Sequence, residues 1–97
     1  MKTYRGVRTI DGLQVSVDEK PLDERYDVQQ FTTWGFEWSY EGPEPQQLAL
    51  AILADHLGDG PKAIEHSKRF MQNVVANMGK LKNLYMYQQM KFMENLC

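Results

Sequence analysis

Few side chains in this 97-residue sequence carry reactive chemistry, and their spacing gives them little to do with it. His56 and His66 are the only histidines. Together they could offer zinc two ligands, but a zinc centre needs three or four, and no third ligand clusters with them. Asp18, Glu19, Asp23, Glu24 and Asp27 flank Pro21. Carboxylates perform acid–base work when an enclosed pocket drives their pKa values apart, and a charged run in a loop does not provide one, so these acids read as a solvated surface. The single cysteine, Cys97, occupies the last position, where nothing is set to lower its pKa. It leaves no internal disulfide and no cysteine metal cluster. Neither a Ser-His-Asp arrangement nor a phosphate or dinucleotide loop has the required spacing. The expectation is a chain that is not an enzyme, with no cofactor, no metal and no small-molecule substrate.

Two groups of residues suit recognition better. Arg5, Arg8 and Arg25 make one basic spot, while Lys68, Arg69, Lys80, Lys82 and Lys91 make a basic stripe interleaved with Tyr85, Tyr87 and Phe92. Such a stripe is a nucleic-acid surface in one reading, against which stands an isoelectric point near 5.6. The other group is the C-terminal end. Five of the six methionines, Met71, Met78, Met86, Met90 and Met93, lie in the last third of the chain. Methionine adapts its shape and suits surfaces that meet other proteins. On a helix, Leu81, Leu84, Tyr85, Met86, Tyr87, Met90, Phe92 and Met93 fall on too many sides for one small sheet to bury, so this end is expected to bind a protein partner or a second copy of the chain.

The elements that must position these groups follow from periodicity. Ninety-seven residues make one domain, and 42% apolar with 25% charged residues is the balance of a globular protein, not of a disordered or membrane one. No apolar run of about 18 residues occurs, and the start enters an alternating segment with no signal core, so the expected setting is the cytoplasm, with no membrane partner. Tyr4, Val7 and Thr9 lie in a first strand and Leu13, Val15 and Val17 alternate in a second, with Asp11-Gly12 as the turn between them. Pro21 leaves a short edge strand or a loop, beyond which Leu22, Tyr26, Val28 and Phe31 keep touching an apolar surface. In FEWSYE, Phe36, Trp38 and Tyr40 alternate with Glu37, Ser39 and Glu41, as on a strand with one apolar side. The acids beside this ladder would repel a phosphate backbone, so it is expected to pack in the core and not to stack on bases.

Helices follow. Pro45 suits a first helical turn, Leu48, Ala49, Ile52, Leu53 and Leu57 form a broad apolar stripe widened by Ala51 and Ala54, and Gly58 ends it. Asp59 or Gly60 then caps a second helix with Pro61 at its start, on which Ile64, Met71, Val74, Val75 and Met78 recur at helical spacing with Phe70 alongside. A further helix resumes after Gly79. The predicted fold is α+β: a small antiparallel sheet, made of an N-terminal hairpin and an aromatic strand, covered by two or three C-terminal helices. The core domain spans residues 1–78, and residues 79–97 form a helical extension, either part of the same folding unit or a partner-binding helix. Charge divides the same way: residues 1–60 hold five Lys and Arg against eleven Asp and Glu, and residues 61–97 hold six against two.

The segments YRG at the start, GFEWSYEG and QLALAIL resemble the small bacterial and phage family named domain of unknown function 6166. Tyr4, Arg5, Gly6, Gly35, Phe36, Trp38, Tyr40, Gly42 and the run Gln47–Leu53 match its pattern, while Ser39 and Glu41 stand where the pattern has glycine. The resemblance spans roughly residues 3–76, leaves the tail beyond Gly79 outside, and implies a mobile-element protein with no activity, cofactor or catalytic residue to transfer. The combined expectation is a non-catalytic protein-binding module. It would be either self-associating or an inhibitor that occupies a defence or regulatory complex of the host, with a nucleic-acid accessory protein as the alternative.

Overall fold

The computed structural model describes residues 3–9, 12–77 and 83–85. The chain forms two compact units, Met1–Pro21 together with Leu81–Cys97, and Leu22–Lys80. The content is α+β, as the periodicities predict.

The first unit is an antiparallel sheet of four strands: β1 (Tyr4–Thr9), β2 (Gly12–Val17), β3 (Lys20–Pro21) and β4 (Asn83–Tyr85), in the order β3-β2-β1-β4. The hairpin forms, with one shift. Thr9 pairs with Gly12, so Gly12 opens β2 and does not belong to the turn that the Asp-Gly signal suggests. Tyr4 faces Val17 and Gly6 faces Val15 across the ladder, which puts buried Tyr4, Gly6 and Val15 on one face. Val7 therefore lies on the opposite face, opposite Gln14 and beside Arg5 and Ser16. β2 and β3 are joined by Asp18 and Glu19, both left-handed at φ 47° and 71°, the conformation that a tight two-residue hairpin requires. Asp18 fastens the start of β1 as well: Thr3 N–H donates to its Oδ1 at 2.9 Å, and its own N–H donates to the Thr3 carbonyl at 2.9 Å. Two residues ending in Pro21 make β3 the short edge strand that the proline implies.

The helix expected beyond Gly79 is, over Asn83–Tyr85, a strand paired with Arg5–Val7. Local apolar spacing favours a helix there, but the β1 edge offers three residues' worth of backbone partners, and a segment this short follows its partner more than its own pattern.

The second unit is a helical hairpin, α1 (Pro43–Leu57) and α2 (Gly60–Asn73), followed by a 3-10 turn at Val75–Asn77. α1 starts at Pro43, two residues before Pro45. Both prolines fit because first-turn N–H groups have no helical acceptor anyway, and the first intrahelical bond is Gln46 N–H to the Gly42 carbonyl at 3.0 Å. From Gln47 to Ala54 every residue is buried, which is the pattern of a central helix with no wet face. Gly58 closes it in the left-handed conformation, and Asp59 caps α2 by accepting from Lys62 N–H at 3.0 Å. α2 buries Ala63, Ser67, Phe70 and Met71, so Phe70 and Met71 face inward as the spacing predicts, whereas Ile64 is exposed and Ala63 takes the inward position in the first turn. Ser67 is satisfied inside: its hydroxyl donates to the Ile64 carbonyl at 2.9 Å and accepts from Gln46 Nε2 at 3.3 Å.

The expected aromatic strand is absent. Residues 35–40 have no strand pairing, Gly35 and Ser39 turn left-handed at φ 84° and 75°, and the Ser39 N–H bonds to the Val75 carbonyl at 3.0 Å instead of to a neighbouring strand. The alternation was therefore a false signal: Trp38 is fully buried, Phe36 half-buried and Tyr40 exposed. Ser39 stands where the resembled pattern has glycine, and its positive φ supplies the reason. Replacing Ser39 by glycine removes left-handed strain and adds some unfolded-state entropy, so a net gain of about 0.5 kcal/mol is expected. Urea denaturation followed by fluorescence checks it.

Candidate functional site

Between β3 and α1 run twenty-one residues, Leu22 to Gly42, with no helix or strand. Segments of that length inside a small domain are uncommon and tend to carry function. This one is tightly held. Leu22, Thr32 and Trp38 are its buried anchors. Gln47, fully buried on α1, reaches into it with both ends of its amide: Oε1 accepts from Phe31 N–H at 2.8 Å, and Nε2 donates to the carbonyls of Glu24 at 2.7 Å and Gln29 at 3.0 Å. One side chain thus satisfies three loop backbone groups.

Glu44, in the first turn of α1, holds the second half. Thr32 Oγ1 donates to its Oε2 at 2.8 Å and Tyr40 OH to its Oε1 at 3.0 Å. The threonine oxygen in turn accepts from Trp34 N–H at 3.1 Å. The backbone of Trp34 therefore sits two hydrogen bonds from a carboxylate. Its side chain is 83% exposed. Further ties are local: Asp23 accepts from Arg25 N–H at 2.7 Å, Arg25 clasps Asp27 through Nε at 3.1 Å and Nη2 at 3.4 Å, and Gln72 Nε2 on α2 reaches Glu41 at 3.3 Å. The arrangement is a fixed loop that presents an indole to solvent.

The hydrogen bonds from Thr32, and then from Tyr40, hold the Glu44 carboxyl below its ordinary value. A lowered folded-state value means that this contribution is complete above the unfolded carboxylate range, near pH 4.5, and is lost as pH falls through the folded value. The urea midpoint of the native chain is expected to fall more steeply on acidification than that of Glu44→Gln, which has no charge to lose. Parallel curves would show that the two donors do not depend on the charged form.

The residues singled out from sequence distribute unevenly. Lys68 and Arg69 are exposed on α2. Leu84 and Tyr85 lie in β4, whereas Leu81, Met86, Tyr87, Met90, Phe92 and Met93, with Lys80, Lys82, Lys91 and Cys97, fall outside the described residues. His56 and His66 are half-buried, and His66 Nε2 is 4.0 Å from Glu65. Among the described residues no three of His, Cys, Asp and Glu gather as a metal site would require, and no helix is long and apolar enough to cross a membrane. Asp18 and Glu19 line an open groove with Thr3, Arg5 and Ser16. Sequence reasoning missed Trp34 as a site residue and Gln47 as its clamp. The available signal for Gln47 was an amide inside an otherwise apolar helical run.

A family model described as a family of unknown function, DUF6166, matches residues 4–94. The match extends past Gly79 and so takes in most of the tail that the resemblance left outside. No curated protein and no solved structure matches the chain.

Proposed function

We infer that this chain, which belongs to the DUF6166 family, is a non-catalytic protein-binding module. The observation that carries the reading is Trp34, 83% exposed on a loop whose backbone is pinned by Gln47 and by the Thr32–Glu44 pair. An indole contributes roughly 150–250 Å² of surface at about 25 cal/mol per Å², so covering it is worth about 4 kcal/mol that the single chain leaves unrealised. Tryptophan in that position is the residue type that dominates protein interfaces. A pinned loop also loses little freedom on association, which raises the share of that energy that appears as affinity.

The methionine and aromatic side chains of the C-terminal segment are the second part of the binding surface in this reading. Their test is point substitution of Met90, Phe92 and Met93, because truncation after Gly79 would also remove β4 and its pairing with β1. In its more specific form the module comes from a mobile element and occupies a complex of its host, which small size and the family resemblance support.

The experiment is capture from host lysate on the intact protein and on Trp34→Ala, each with and without nuclease. A defined protein retained after nuclease, and lost with Trp34→Ala, is the expected result. Recovery of nucleic acid alone, dependent on Lys68 and Arg69, would replace this reading with the nucleic-acid one.

A further inference from the structure

The exposed aromatic side chains lie in an acidic part of the chain. Residues 22–44 contain six Asp and Glu against Arg25 alone, in a chain whose net charge is only −2. Arg25 is engaged within the loop by Asp27 on two nitrogens, so the segment keeps a clear excess of carboxylate. Among the described residues, the exposed large apolar side chains are Trp34, Tyr40, Tyr26 and Ile64, and the three aromatic ones all belong to this segment. Two of them are tied to one carboxylate: the Trp34 backbone N–H reaches Glu44 through the Thr32 hydroxyl, and the Tyr40 phenol donates to it directly.

Aromatic faces beside carboxylates select among partners. A phosphate backbone is repelled. An aliphatic surface would cover the rings but desolvate the carboxylates without compensation. A lysine ammonium satisfies the charge, yet it is compact and strongly hydrated and gains less from a ring. The guanidinium group meets both demands, because it is planar and weakly hydrated, stacks on indole, and forks its donors onto carboxylate.

We propose that the Trp34 surface recognises arginine side chains presented by a basic segment of a partner protein, with Trp34 as the stacking face and the carboxylates of its own segment as the counter-charge. This rests on the protein-binding reading and narrows it to one partner chemistry. Glu44 already accepts two hydrogen bonds from its own chain, so its part is to supply negative charge at a fixed position, while Glu41 and Asp23 are more exposed acids of the same segment.

Three synthetic peptides of six Arg-Ser repeats, six Lys-Ser repeats and six citrulline-Ser repeats test it on the full chain, by calorimetry and by tryptophan fluorescence at two salt concentrations. Citrulline keeps the shape of arginine and removes its charge. The arginine peptide is expected to bind about ten-fold more tightly than the lysine peptide, and the citrulline peptide not at all. Trp34→Ala is expected to lose about ten-fold in affinity for the arginine peptide with an unchanged urea midpoint. Equal affinity for arginine and lysine peptides, or full binding by Trp34→Ala, overturns the proposal. So does a Trp34-dependent dimer in light scattering without peptide, since the occupant is then a second copy. A protein captured from lysate through Trp34, with no arginine-peptide binding, overturns the arginine assignment while the protein-binding reading stands.

Discussion

Replacing Gln47 by leucine is expected to cost about 2–3 kcal/mol, although the position is fully buried and leucine is the better helix former. Hydrophobicity and helix propensity both favour the substitution, so the sign of the effect tests whether the clamp matters. Leucine fills the space and removes the partner of Phe31 N–H and of the Glu24 and Gln29 carbonyls. Water reaches part of these groups because Gln29 is exposed and Phe31 half-buried, which keeps the cost below three full desolvation penalties. Gln47→Glu separates the two ends of the amide. It keeps an acceptor for Phe31 but points a second oxygen at two carbonyls, so the carboxyl is driven towards its neutral form and its pKa in the folded state rises. The sign is then opposite to that of Glu44: the variant gains stability as pH falls and loses it as pH rises. Urea midpoints at several pH values, together with amide exchange at Phe31, measure both. A leucine variant as stable as the native chain would mean that the loop is held by its buried anchors alone.

The clamp also marks the limit of what sequence pattern reveals. The hairpin and both helices have periods and punctuation: alternation in β2, a left-handed Gly58, a capping Asp59, prolines in first turns. Each is decided by neighbours within a few residues. The loop from Leu22 to Gly42 also has ties to partners 12 to 23 positions away, through Gln47 and Glu44, and these leave no period behind. Its one apparent period, FEWSYE, misleads because alternation by residue type does not require alternation in space once Ser39 turns left-handed. β4 is missed for a related reason, since its conformation depends on an edge almost eighty residues upstream. The candidate site is less legible still. Trp34 and Trp38 are the same residue type four positions apart, and nothing in the sequence says that one is an anchor and the other is displayed.

That pair supplies the sharpest contrast in expected effect. Trp38→Ala should cost about 4 kcal/mol, because a fully buried ring is replaced by a cavity that its surroundings fill only in part. Against a total of roughly 5–15 kcal/mol for a domain of this size, that loss leaves a chain near the edge of folding, with Tm lower by about 15–30 °C. Trp34→Ala should change stability by less than about 0.5 kcal/mol, since an exposed side chain gives up almost no burial in the single chain. Single-tryptophan variants make the distinction visible without denaturation. With Trp38→Phe, the remaining indole should emit near the wavelength of tryptophan in water and be quenched freely by acrylamide; with Trp34→Phe, the remaining indole should emit to the blue and resist quenching. The two outcomes together carry the functional argument, because an aromatic that costs almost nothing to remove from the fold but weakens binding is being kept for a partner. If Trp34→Ala destabilised the chain as Trp38→Ala does, the indole would be part of the core, and the surface assigned to a partner would not exist.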